Sequence, residues 1–253
     1  MSKLRVFTFS PDWGLPTNGP FALKLLAWLS LAKIPYEQVI ENNSSKGPKG
    51  KSPWVELDGE RIADSELIIQ LLARKHEIDL DADLSPEQLA IGHAFRRTFE
   101  EHFHQVLEWE LLLTREGAAY MRGLLSREMP GPVSQLLFTV LKRHFQKQLF
   151  ARGIARHSPE DIERKGKDDL DALAAYLQGR KFLGGEQPST ADAAVFGLLA
   201  PLLYWTMSTP VGDYAKSLPV LRQYCDRMKG LCFAQKAQAN VDLSNRVVAG
   251  QAA

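Results

Sequence analysis

An acid beside a hydroxyl, Asp64-Ser65, stands directly ahead of Leu67, Ile68, Leu71 and Leu72, whose spacing predicts a helix. A helix start leaves backbone N–H groups unpaired and carries the positive end of the helix dipole, so it attracts a carboxylate. The pair itself offers an ammonium a negative charge and a hydroxyl. Together they describe a pocket for a small zwitterion.

Other residue sets that could do chemistry are limited by their spacing. Gly47-Pro48-Lys49-Gly50-Lys51-Ser52 ends like a phosphate loop, but Ser45 occupies the place of its first glycine and Pro53 with a strand follows instead of a helix. Glu101 and His104 make a single Glu-x-x-His, a spacing that di-iron bundles use twice. His102 and His104 fall on different faces of one helix, so they cannot chelate together. With Glu100 and Glu108 they read as a solvated or lobe-facing polar stripe, and no metal is expected. Cys225 and Cys232 share one face of the last helix beside Tyr224 and Phe233, which reads as buried packing.

The elements that must position the corner follow from the same residues. Residues 4–9 are a strand. The segment Pro20–Leu31 is a helix with Pro at its first position, where the missing N–H is harmless. Ile34-Pro35 ends it, and 36–40 is a second strand. Trp54–Leu57 and 60–62 are strands joined by Asp58-Gly59, the dipeptide of a hairpin turn with two positive φ angles. The order is β-α-β, a loop, then Pro-β-β-α within residues 1–77. An acidic linker, 78–85, leads into segments that read as helices and never as strands: 86–116, 132–152, 159–178, 189–207 and 219–233. Gly and Pro, at Gly117, Gly153, Gly179 and Pro210 among others, mark the breaks. Ser189-Thr190-Ala191-Asp192 is a capping box, a structural device.

Composition bounds the function. Thirty-one basic residues against 30 acidic ones give the 253-residue chain a net charge of +1, so no global field favours nucleic acid or anionic lipid. The longest apolar run, 193–205, contains Pro201 and falls short of the about 20 residues a membrane span needs. It reads as a kinked core helix. The start lacks the apolar stretch of a signal peptide. Two cysteines argue against a disulfide framework, and a cytoplasmic protein is expected.

Lys49-Gly50-Lys51-Ser52-Pro53-Trp54-Val55-Glu56, then Gly59 and Ile62-Ala63-Asp64-Ser65, resembles the glutathione-binding domain of the cytosolic glutathione transferase superfamily. With Pro20-Phe21 and Leu23-Lys24-Leu25, the likeness is greatest to its failed-axon-connections and metaxin-like branch. The resemblance covers nearly the whole chain. It implies an α/β thioredoxin-like N-terminal domain (1–77) and an all-α helical C-terminal domain (86–253). It further implies that Pro53 is cis, that the backbone of Ser52 pairs with the cysteinyl group of glutathione, and that Asp64-Ser65 holds its γ-glutamyl end. Lys46, Lys49 and Lys51 would fringe the glycine end. Glutathione would be co-substrate rather than resident cofactor, conjugated to a small apolar electrophile whose pocket is lined by residues around 100–125. A homodimer is expected. Other uses of the fold are a non-catalytic adaptor for protein contacts and a glutathione-dependent isomerase or lyase.

No cysteine lies in residues 1–224, which excludes thiol–disulfide chemistry at the first helix. What remains is activation of glutathione's own thiol. In related transferases the donor is a Ser or Cys just before the helix-opening Pro, or a Tyr ending the first strand. Here Gly19 precedes Pro20, and Phe7-Thr8-Phe9-Ser10 holds no Tyr. Thr17, Asn18 and Ser10, on the loop 10–19, are the candidate catalytic donors, with the amides at the helix start as the backbone alternative. Trp13 on the same loop is expected to wall the acceptor site.

Overall fold

The computed structural model describes residues 3–250, with side chains described through residue 234 apart from Glu128. Four short strands, β1 (Arg5–Thr8), β2 (Glu37–Ile40), β3 (Trp54–Leu57) and β4 (Glu60–Ala63), form one sheet in the order β2-β1-β3-β4. β1 and β2 run parallel with Arg5 opposite Glu37, and α1 (Pro20–Leu31) makes the crossover. The other two pairings are antiparallel, with Phe7 opposite Trp54 and Trp54 opposite Ala63. Asp58 and Gly59 take φ of 52° and 85°, as the expected hairpin turn requires. The helix α2 (Ser65–His76) closes this part. Its buried face is Ser65, Ile68, Ile69 and Leu72. Leu67, placed in the apolar series above, is instead 48% exposed, because the stripe is centred one residue later.

Helices α3 (Pro86–Arg97), α4 (His104–Leu112), α5 (Arg115–Glu128), α6 (Gly131–Ala151), α7 (Pro159–Leu177), α8 (Thr190–Tyr204), α9 (Pro210–Lys216) and α10 (Pro219–Gly250) make the remainder. A π-helical turn, Thr98–Phe103, joins α3 to α4. The single helix expected over 86–116 therefore runs continuously through the π turn to Leu112 and breaks at 113–114, where α5 begins. Thr114 caps α5 by accepting from the Gly117 amide, so Gly117 sits in the first turn of a helix instead of ending one. The short α9, which carries no long periodic pattern, was absent from the expected segments. Among the described residues beyond 77 there is no strand, only one bridge, Phe182 to Gly185.

The two parts share one apolar core, running from Leu4, Val6 and Val55 through α1 to Phe196, Leu199 and Tyr224. A small second cluster, Phe7, Trp54 and Ala63, lies on the sheet's other face. α8 is buried along most of its length. A Cβ at Gly197 would stand 2.6 Å from the Lys24 nitrogen, so glycine alone lets α8 lie against α1. Ser189 and Asp192 form the expected reciprocal box at the start of α8, and Asp192 also accepts from the Leu183 amide at 2.8 Å. At the seam Lys24, 1% exposed, contacts Glu100 of the π turn and Glu66 of α2, the latter at 3.0 Å. Arg96 completes the cluster at 2.7 Å from Glu66. Burying an ammonium is tolerable only with such partners. This seam fixes α2, and so the Asp64-Ser65 corner, against the helical part.

Candidate functional site

Three pieces of backbone meet at the corner. The Ser52-Pro53 peptide is cis, and the buried Ser52 hydroxyl has no hydrogen-bond partner among the described residues. Asp64 is the N-cap of α2: its Oδ1 accepts from the Glu66 amide at 3.1 Å and the Leu67 amide at 3.4 Å. Its φ of +83° is one that non-glycine residues rarely hold. Ser65 is 6% exposed at the first position of the helix. The outer carboxylate oxygen of Asp64 is half open to solvent, with Lys49 3.7 Å away. Lys46 is tied to Glu41 at 2.5 Å. The Lys51 charge, by contrast, acts on His104 and Glu108 across the cleft.

The third piece is the start of α1. Gly19 is its N-cap in extended conformation (φ −85°), and no side chain caps the helix. Pro20 has no N–H, so the Phe21 and Ala22 amides are donors without a capping side chain. The three loop residues expected to activate a thiol are placed differently. Thr17 is fully buried, and its hydroxyl accepts from the Gly19 amide at 3.1 Å. That contact shapes the turn into α1. Ser10 is bound to Asn42, backbone and hydroxyl both reaching Oδ1 at 3.0 and 3.1 Å, at the end of β2. Asn18 is half-buried, and its amide donates to the Ser10 carbonyl at 3.0 Å. The loop does pass the helix start, but of the three only Asn18 retains a side chain outside such a contact.

Trp13, with φ of 52°, leaves the small part altogether. Its ring lies 5.8 Å from Tyr120 and edge-on to Trp205 at 6.2 Å. The Tyr120 hydroxyl donates to Asp12, which fastens the loop to α5. An opening of about 560 Å³ lies between Pro11, Leu15 and Pro16 of this loop and Lys229 and Phe233 of α10. The last helix thus lines the space beside the loop, whereas no residue of the 100–125 segment expected to do so is among the lining of this opening.

α4 forms the wall facing α1. The His104 ring stands edge-on to Phe21 at 4.8 Å. Its Nε2 lies 3.5 Å from Glu108, which Arg152, just beyond α6, holds at 2.9 Å. Burial, Arg152 and Lys51 together push the His104 imidazole down to about 4. Burial pushes the Glu108 carboxyl up, against the pull of those same two cations. His102 points elsewhere and pairs with Asp169 of α7 at 2.6 Å. The two histidines are separate, as their faces predicted. No group of three or more metal-ligating side chains occurs among the described residues. Cys225 and Cys232 are both free and buried, and burial pushes the Cys232 thiol up to about 12, which leaves it inert.

Residues 20–117 match the glutathione S-transferase N-terminal domain, and residues 166–228 match the glutathione S-transferase C-terminal domain. The chain belongs to the glutathione transferase family. It is 33% identical over 240 residues to Failed axon connections of Drosophila melanogaster, which covers 90% of the chain and 57% of that longer protein. The isoprene-epoxide glutathione S-transferase of a Rhodococcus strain is 26% identical over 236 residues, covering 89% of the chain and 98% of the relative. Metaxin-1 of Macaca fascicularis is 29% identical over 242 residues, covering 92% and 76%. Glutathione transferase F7 of Populus trichocarpa superposes with a TM-score of 0.60 at 14% identity, over 93% of the chain and 98% of the poplar structure. That likeness shows the fold: a four-stranded mixed sheet followed by helices, none of which, among the described residues, is long and apolar enough to cross a membrane.

Proposed function

We propose that the chain binds glutathione at the corner of Ser52, Pro53, Asp64 and Ser65 and conjugates its thiol to a small electrophile. The observation that carries this reading is the convergence of the Ser52–Pro53 cis peptide, the Asp64-capped start of α2 and the open start of α1 on one side of the sheet. The Asp64 carboxylate and Ser65 hydroxyl take the γ-glutamyl ammonium and carboxylate, with the Ser65 amide adding a backbone donor. Lys51 and Lys49 meet the glycine carboxylate.

A free thiol titrates near ~8.5, so lowering it by about two units needs about 2.7 kcal/mol of preference for the thiolate. The Phe21 and Ala22 amides at the positive end of α1 are suited to that task. Thr17 acts through Gly19 as a positioning residue, Asn18 is the side-chain donor nearest the helix start, and Ser10 is the most distant of the three. The lobes divide at the linker 78–85, and the protein acts in the cytoplasm as a homodimer. The exposed apolar stripe on α6, Val133, Leu136, Leu137 and Val140, supports an association of that kind.

A second reading is an adaptor that uses the fold for protein contacts without catalysis. It is favoured by Gly19, which places no hydroxyl at the helix start. Calorimetric titration of the purified protein with glutathione separates the two. Binding in the micromolar to millimolar range is expected, and a titration without heat at millimolar glutathione would transfer the case to the adaptor.

A further inference from the structure

The net charge of +1 conceals an uneven distribution. Residues 115–156, which hold α5 and α6, carry eight Lys and Arg against two acids, Glu116 and Glu128. Neither Asp nor Glu stands between Glu128 and Glu160, so α6 has none. The same hairpin concentrates the apolar surface. Of nine large apolar side chains left exposed among the described residues, five lie on α6. Scattered exposed leucines need no explanation, but a contiguous row does.

The row has a direction. One face of α6 is buried through Ser134, Phe138 and Leu149. The opposite face follows helical spacing: Val133, Leu136, Leu137 and Val140, then Arg143, His144 and Lys147. Its first half is apolar, with exposures from 41% at Leu137 to 67% at Leu136. Its second half is basic and exposed. Exposed cations in other regions are commonly paired, as Lys181 is with Glu186 and Arg222 with Asp226. Arg143 and Lys147 meet no carboxylate among the described residues.

We propose that this face of α6 docks on an anionic lipid surface, with Val133, Leu136, Leu137 and Val140 entering the headgroup boundary and Arg143 and Lys147 meeting lipid phosphates. The seven-residue rise from Val133 to Val140 is about 10 Å, within the depth to which an interfacial helix sinks. Met129-Pro130-Gly131-Pro132 joins α5 to α6 directly ahead of Val133, so the apolar half lies at the tip of the hairpin. The basic half stands about one to two turns behind it, at headgroup height. This is docking on one leaflet: among the described residues no helix is long and apolar enough to cross a membrane. The same apolar row also fits a second copy, and charge decides between the two occupants. A second α6, lacking any acid, brings only like charge to Arg143 and Lys147, whereas an anionic surface brings the opposite sign. A helix that is both basic and amphipathic has the chemistry of a membrane-surface element. The proposal stands apart from the glutathione reading above.

The test sediments the full chain with phosphatidylcholine vesicles, with and without about 30% phosphatidylserine. Half-maximal binding is expected at about tenfold less lipid for the anionic vesicles, and raising salt from about 0.1 to about 0.5 M should remove that preference. Arg143→Glu with Lys147→Glu is expected to lose the preference for anionic lipid. Leu136→Asp with Val140→Asp is expected to weaken binding about tenfold. Leu231→Asp, at an exposed leucine of α10, should leave binding as it is. Circular dichroism checks that each variant folds. Leu136→Trp reads insertion: its emission should shift to the blue with anionic vesicles and be quenched by brominated acyl chains. Equal binding to both vesicle types, or no binding at millimolar lipid, overturns the proposal. So does anionic binding that survives both double variants on α6. Should Leu136→Asp with Val140→Asp turn a dimer into a monomer while the wild type ignores lipid, the face belongs to a second copy.

Discussion

The two walls of the cleft are made of different material. On the sheet side the groups are set by the local backbone: a cis peptide at Ser52-Pro53, Asp64 and Ser65 at the strained start of α2, and open amides at the start of α1. On the helical side, His104 and Glu108 are side chains whose protonation is shifted by burial and by cations from distant segments. Backbone groups hold a fixed ligand in a fixed pose, because their dipoles cannot turn away. Side chains that change protonation suit a reacting partner. Under the proposed function, the first wall recognises glutathione and the second handles whatever it is joined to.

The largest effect that tests this contrast lies in the seam that holds both walls in place. Lys24→Ala removes the buried cation between Glu100 and Glu66, leaving Glu100 with the more distant, half-exposed Arg97 at 3.8 Å and Glu66 with Arg96. Breaking such a cluster from one side is expected to cost about 3–5 kcal/mol in urea unfolding. A loss below about 1 kcal/mol would mean that the two walls are not held by this seam.

Next in size is the corner itself. Asp64→Ala with Ser65→Ala removes a charge-assisted contact to an ammonium, about 1.5–3 kcal/mol, so glutathione affinity falls at least about tenfold in calorimetry. The cap on α2 goes with it, at about 1 kcal/mol of stability. Unchanged affinity would take the corner out of the site and leave only the helical wall.

This corner was readable in the sequence for a physical reason. The cis Ser52-Pro53 peptide was expected only from the family resemblance, whereas Asp58-Gly59 and Asp64-Ser65 each act on the backbone beside them, so the residue type and its local result sit within a few positions. The same holds for Pro20 at the start of α1 and for Ser189 with Asp192 at the start of α8. His104 and Glu108 of α4 meet Arg152 from the helical part and Phe21 and Lys51 from the sheet side, residues from four separate segments, and no local pattern announces that they meet. The orientation of the loop residues was less legible for a related reason. Thr17 and Ser10 are near α1 along the chain, but Thr17 turns inward to accept from the Gly19 amide, and Ser10 is tied to Asn42, a partner distant in sequence. Gly117 looked like a break because glycine disfavours helices, yet the Thr114 cap overrides that preference.

A smaller change sharpens the contrast from the backbone side. The φ of −85° at Gly19 admits an L side chain, and a Cβ there would meet the Phe9 ring at 3.1 Å, which asks for a slight shift. Gly19→Ser adds a hydroxyl to a wall that now works through amides. A rise in conjugation rate of about threefold is expected, well below the loss seen when a sole positioned donor is removed elsewhere. No rise, with the fold intact by circular dichroism, would mean that the amides already saturate the thiolate.

The smallest effect separates the two histidines, two positions apart on one helical run. Asp169 raises the His102 imidazole above its usual 6.5, so the folded state holds that proton more tightly than the unfolded chain does. Its contribution is fully present below pH 6.5 and fades as pH rises through the folded value. With 38% of the His102 side chain exposed, solvent screening limits it to a few tenths of a kcal/mol, roughly. His104 has the opposite sign. Its folded value, about 4, lies below the unfolded 6.5, so between these limits the unfolded chain binds more protons. Stability associated with His104 therefore falls as pH drops from 6.5 towards 4. Urea midpoints of His102→Gln and His104→Gln against wild type at pH 5, 7 and 8.5 should give differences of opposite slope. The His102 variant approaches wild type at high pH, and the His104 variant gains on it at low pH. Parallel slopes would mean that His104 is as accessible to water as His102, and the burial that separates the two histidines would not stand.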